Sequence, residues 1–232
     1  MTTRFWEIDF ARGLAITGMI LFHFIWNLNY FGYTNFNLYS GLLGIFQKTI
    51  AITFLLLVGI GLTLSANGRE HYEFWFLKRG LFIFGLGMLI TAFTFLFFKE
   101  GLIFFGVLHL IGASIILAIP FAKHIYASIV TGLTIIAAGL YLQTLTFDFP
   151  YLLWLGFFYP TTTFDYYPIL PWFGVILIGT AFGNLLYKNG KRIIELKYYN
   201  SIISKLGKYS LLIYFIHQPI LFGLLMLLSY IK

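Results

Sequence analysis

The stretch Leu81–Phe98, LFIFGLGMLITAFTFLFF, decides the fold. It carries no Asp, Glu, Lys or Arg, and a helix of about 18 to 20 such residues matches the roughly 30 Å of a bilayer's hydrocarbon. Counted from Arg79 it is one of about seven such windows. The others lie near residues 10–30, 44–66, 102–122, 124–143, 169–187 and 207–230. The whole chain of 232 residues agrees, being 60% hydrophobic and only 10% charged, with a mean hydropathy of +0.88. A soluble domain cannot carry that composition. The expected architecture is therefore all-α: a polytopic membrane bundle of about seven spans, one domain over residues 1–232, in the cell membrane.

Smaller features fit the same frame. Pro120 and the short Ala122–Lys123–His124 link make the fourth and fifth windows a tight antiparallel pair. Residues 150–160, bracketed by Pro150 and Pro160, are apolar but too short to span, and read as interfacial or re-entrant. The pairs Gly59/Gly61, Gly85/Gly87 and Gly179/Gly183 suit close helix packing. An aromatic share of 21% fits a surface facing lipid and headgroups. The absence of cysteine excludes disulfides, thiolate-bound metal and a cysteine nucleophile. The first 30 residues are expected to stay as a span, because the apolar run is long and no small-residue cleavage site follows.

The net charge of +7 raises nucleic acid as a partner, but the bases fall in short segments between spans. One set of ends holds Arg4, Arg12, Arg69, Lys78, Arg79, Lys123, Lys188, Lys191, Arg192, Lys197, Lys205 and Lys208; the other holds Lys48, Lys99 and Lys232. Twelve against three is a positive-inside bias. It sets the N-terminus in the cytoplasm and the C-terminus outside, and no nucleic acid is needed to explain it.

Polar residues inside the apolar windows then ask for partners, a cavity or a substrate. On the first helix Asp9, Arg12, His23 and Asn27 share one stripe. His23 lies about 21 Å along the axis from Asp9. Asp9 and Arg12 read either as an anchor at the inner headgroups or as part of a binding site. His23 with Asn27 one turn on points to function. His109, within FGVLHLIG, reads as a satisfied core residue or as a site residue. His217 and Gln218 precede Pro219, which kinks a helix and frees the Phe215 carbonyl. They read as a structural kink or as a polar site at membrane depth. The segment before the sixth window, TTTFDYYPILPWFG, offers Asp165 and Trp172 among hydroxyls and aromatics. It suits an interfacial belt or an acceptor surface.

Taken in order, RFWEIDFARG at Arg4–Gly13, Met19–Ile20 with His23, FGVLH at Phe105–His109, DYYPILPWFG at Asp165–Gly174 and YSLLIYFIHQP at Tyr209–Pro219 resemble the heparan-alpha-glucosaminide N-acetyltransferase catalytic-domain family. The resemblance covers essentially the whole chain. It implies acetyl transfer from cytoplasmic acetyl-CoA to an acceptor across the membrane, with a histidine in the transfer. The chain lacks the additional spans and large non-cytoplasmic domain of the animal enzyme, which argues against heparan sulfate as the acceptor.

On this reading His23, His109 and Asn27 are the expected catalytic residues. Asp9, Arg12, Lys78 and Arg79 would serve the acyl-CoA donor, and Asp165, Trp172, His217 and Gln218 the acceptor. His23 acts as a general base or as a transient acetyl carrier, and the two routes stay open. The expected partners are acyl-CoA, an envelope glycan or small amino-sugar acceptor, and the bilayer; no metal is expected, and a homodimer is allowed. A transporter or channel lined by the histidines and Gln218 is the rival reading, though it calls for internal repeats that the two halves do not show. Haem ligated by His23 and His109 is a third.

Overall fold

The computed structural model describes residues 5–98, 101–160, 163–187, 191–193, 197 and 201–230. Arg4, Lys99, Thr161, Thr162, Lys188 and Lys232, all used above, lie outside them. Eight α-helices follow one another among the described residues: α1 (Trp6–Tyr30), α2 (Gly41–Asn67), α3 (Tyr72–Phe97), α4 (Val107–Leu117), α5 (Ile125–Leu142), α6 (Ile169–Leu186), α7 (Ile202–Lys208) and α8 (Ser210–Tyr230). Six of them (α1, α2, α3, α5, α6 and α8) are long and apolar enough to cross a bilayer. This is a polytopic all-α membrane protein.

The expected fourth span, 102–122, is corrected. Its α-helix covers only the 11 residues Val107–Leu117, about 16 Å of rise, and a 3-10 turn at Ile119–Phe121 follows. The cause is local. Gly101 takes a left-handed φ of 92°, and Gly101 and Phe105 pair in isolated parallel bridges with Thr163 and Tyr166. That pairing satisfies backbone groups that a helix would otherwise have bonded internally. The helix can start only where the pairing ends.

α3 also departs from expectation by starting at Tyr72 rather than near Arg79, so Lys78 and Arg79 lie inside it. Their long stems lie against the helix while their charges meet ring faces. Lys78 Nζ stands 4.3 Å from the Phe74 centroid and the Arg79 guanidinium 5.7 Å from that of Phe82. Such pairs let a base stay helical near an apolar boundary.

The chain divides into two compact units. One holds α1, α2 as far as Leu57, α7 and α8. Within it α7 crosses α1 with the backbones in direct contact. A Cβ on Gly13 would strike the carbonyl of Ile203, and one on Gly207 the carbonyl of Asp9. The other unit holds α2 from Val58, α3, α4, α5 and α6, with α3 against α4 and α5 against α6. There Thr63 Oγ1 donates to the Thr180 carbonyl at 2.9 Å, and Asn184 Nδ2 donates to the carbonyls of Ala122 and Thr180, both at 3.0 Å. These polar atoms are consumed in holding α2 to α6.

Candidate active site

α1 has apolar flanks and a polar stripe that faces α7 and α8. At its start Asp9 is buried and pairs with Arg12 at 3.7 Å. Arg12 Nη2 also donates to the Leu57 carbonyl at 3.4 Å. Toward its far end Asn27 is fully buried, at 0% exposure. It forms a reciprocal amide pair with Gln218 of α8. Gln218 Nε2 donates to Asn27 Oδ1 at 3.1 Å, and Asn27 Nδ2 to Gln218 Oε1 at 3.4 Å. Each amide thus satisfies the other, the low-cost way to carry such groups through an apolar region.

One turn before Asn27, His23 lies beside His217 of α8, with ring centroids 5.0 Å apart and planes inclined by 55°. His217 is 8% exposed. Its Nδ1 donates to the Tyr214 carbonyl at 2.6 Å. A carbonyl only accepts, so Nδ1 carries the proton and Nε2 the lone pair. That Nε2 has no hydrogen-bond partner, and neither has Nδ1 of His23, although both atoms are buried. The walls are aromatic: Phe22 meets the His23 ring edge-on at 5.9 Å, and Tyr214 lies 5.6 Å from His217.

His109 is placed very differently. It is 2% exposed, at the start of α4. Its Nδ1 accepts from Gly106 N–H at 3.2 Å, which leaves Nε2 to donate to Thr91 Oγ1 at 3.2 Å. Thr91 in turn donates to the Ile103 carbonyl at 2.6 Å. The Ile103 N–H donates to Thr94 Oγ1 at 3.2 Å. The ring sits on Gly87, where a Cβ would come within 3.0 Å of Nδ1, and against the edge of Phe84 at 5.3 Å. Both nitrogens are spent, one on the N-cap amide of its own helix and the other on α3.

Asp165 completes that fastening. Its Oδ2 accepts from Val107 N–H at 2.9 Å, so it and His109 between them satisfy the amides of the first helical residue and of the N-cap Gly106. Burial pushes the Asp165 carboxyl up to about 6, against the Val107 amide, which favours the ionised form. A carboxyl raised on folding contributes stability that is complete below its ordinary value of 3.8 and lost as pH rises through about 6. The melting midpoint of the wild type, taken relative to that of Asp165→Asn, should therefore fall between about pH 4 and about pH 7. A difference that stays constant over that range would contradict the placement. Next to Asp165, the Tyr166 hydroxyl donates to the Leu153 carbonyl at 2.9 Å and is pushed up to about 12 by burial. Trp172, half-buried, lies against Tyr167 with centroids 5.1 Å apart and planes inclined by 54°.

The expected site residues thus fall into groups. His23, Asn27, His217 and Gln218 stand together in one unit, with Asp9 and Arg12 paired further along α1. His109, Asp165 and Trp172 belong to the other unit, as do Lys78 and Arg79, two turns into α3. Among the described residues no three His, Cys, Asp or Glu side chains gather as a metal site would. Sequence reasoning missed Thr91, Thr94 and the Tyr214 carbonyl. The two threonines were visible as hydroxyls one turn apart in the charge-free run Leu81–Phe98. The carbonyl left no trace in the side chains.

A family model described as "Heparan-alpha-glucosaminide N-acetyltransferase, catalytic" matches residues 4–219. No curated protein and no solved structure matches the chain.

Proposed function

The chain belongs to the heparan-alpha-glucosaminide N-acetyltransferase catalytic family, and from that premise we propose a membrane acetyltransferase that works through His23. Its donor is cytoplasmic acetyl-CoA. Its acceptor is an amino-sugar or hydroxyl group on an envelope glycan or a small sugar outside the cell membrane.

The observation that carries this reading is the pair of unpartnered ring nitrogens on His23 and His217. Leaving a buried polar atom without a partner costs about 1–3 kcal/mol. Here two imidazoles stand side by side with no third group bonded to those nitrogens, an arrangement suited to proton handling rather than to holding helices together. His109, by contrast, has no ring nitrogen left for chemistry, and we assign it to holding the start of α4. We assign Asp165 to the same task. Asn27 and Gln218, closed on each other one turn away, fix the register of α1 against α8 and so hold the two imidazoles together.

Sidedness supports the donor. Acetyl-CoA is too polar to cross lipid, so it must be met from one face. Arg12, Arg69, Lys78 and Arg79 fall near the start of α1 and at the joint of α2 and α3, ends that alternate to one side of the membrane whatever the fourth segment does; on the positive-inside rule that side is the cytoplasm, where they attract the phosphates of acetyl-CoA. His23 lies seven residues before the end of α1, about 10 Å from the opposite end, close to where an external acceptor arrives. The acceptor's oxygen or nitrogen ends bonded to the acetyl carbon, the C–S bond breaks, and the acceptor's proton ends on the CoA sulfur. Direct transfer and an acetyl-His23 intermediate give the same balance.

Reconstituted protein incubated with labelled acetyl-CoA tests this. CoA release should depend on an added amino-sugar or envelope glycan, with the label appearing on that acceptor. Release no faster than from empty vesicles, with every acceptor class, would contradict it.

A further inference from the structure

We propose that His217 is the positioning residue of the His23 imidazole. Its Nε2 accepts the Nδ1 proton of His23, so that the lone pair available for chemistry is on Nε2 of His23. This rests on the acetyl-transfer reading for its consequence, but its geometry stands apart from it.

The order of assignment is fixed from the far end. The Tyr214 carbonyl takes the Nδ1 proton of His217 at 2.6 Å, which leaves Nε2 as an acceptor and nothing else. The neighbouring amides do not compete, since Asn27 and Gln218 are bonded to each other. Nδ1 of His23 is buried and lacks a partner, as does Nε2 of His217. The Tyr214 carbonyl holds the His217 ring in place, and with centroids 5.0 Å apart a turn of the His23 ring alone allows these two atoms to approach a hydrogen-bond length of about 2.7–3.2 Å. One proton placed between them satisfies both. It has to come from His23, because His217 has none to give on that side.

The chain Tyr214 carbonyl, His217, His23 then follows the logic of a base oriented by a third group. Here the orienting group is a neutral imidazole, so it can also take the proton. When the acceptor's O–H or N–H gives its proton to Nε2 of His23, the Nδ1 proton moves to Nε2 of His217. The positive charge then sits on His217, whose Nδ1–H already points at a carbonyl. When the C–S bond breaks, the two proton moves reverse, and Nε2 of His23 delivers a proton to the CoA thiolate. The acetyl group has moved, one proton has gone from acceptor to sulfur, and both rings are neutral again. In apolar surroundings two imidazolium charges side by side are too costly, so the pair holds one extra proton at most.

Nitrogen NMR on the full chain in lipid nanodiscs, with histidine as the only labelled residue, reads the tautomers directly. The five histidines are few enough to assign from the signals lost in His23→Asn and His217→Gln. Both His23 and His217 should carry their proton on Nδ1. In His217→Leu the Nδ1 preference of His23 should disappear and turnover should drop about tenfold or more. His217→Gln keeps an acceptor oxygen without being able to take up the proton, so it should restore the His23 tautomer and only part of the turnover. A wild-type His23 protonated on Nε2 overturns the proposal, as does a His217→Leu protein with unchanged tautomer and turnover. If a variant fails to fold, the wild-type spectrum still decides. If the wild type transfers no acetyl group, the functional reading fails while the tautomer measurement stands on its own.

Discussion

His109→Ala is expected to cost about 2–4 kcal/mol of stability, seen as a lowered melting midpoint and early aggregation in detergent. Two losses add. The ring is buried at 2% exposure against Phe84, Phe105 and Gly87, so its removal leaves a cavity. Gly106 N–H loses its acceptor and Thr91 Oγ1 its donor. No substitute is at hand, because the Asp165 carboxylate already holds Val107 N–H. The protein that remains folded should keep its turnover within about tenfold of wild type, below the usual loss of a general base. A variant as stable as the wild type but with abolished turnover would show that His109 belongs to the chemistry.

How far the sequence reached depends on what kind of signal each feature leaves. Spans were legible because length and apolarity are local properties: α1, α2, α5, α6 and α8 begin and end within a few residues of their expected windows. The fourth window misled for a physical reason. Residues 102–106 are as apolar as a helix needs to be, but Gly101 and Phe105 pair with Thr163 and Tyr166, a contact between segments far apart in the chain. The same contact explains His109 and Asp165. Each was open to a structural or a site reading, and each has a partner in a backbone amide at the start of α4. Residue type cannot separate a ring that caps an amide from a ring that faces a vacancy. On α1 the spacing of Asp9, Arg12, His23 and Asn27 placed them on one stripe, and they do share it. That α8 meets this stripe with His217 and Gln218 in register required coordinates.

His23→Ala should leave the fold intact and reduce acetyl transfer at least about a hundredfold, the lower range for loss of a general base. Nδ1 of the removed ring is bonded to no third group, so its loss takes away only the proposed hydrogen bond to Nε2 of His217. Asn27 and Gln218 still hold α1 to α8. The opposite consequences of the two alanine substitutions, one on stability and one on rate, separate the two imidazoles.

The most direct measurement is the rate of acceptor-dependent CoA release by His23→Ala, per folded molecule, beside wild type in the same vesicles. The proposed mechanism predicts a ratio of about one in a hundred or lower, with melting midpoints alike. Full turnover by His23→Ala would contradict it and move the catalytic imidazole to another helix.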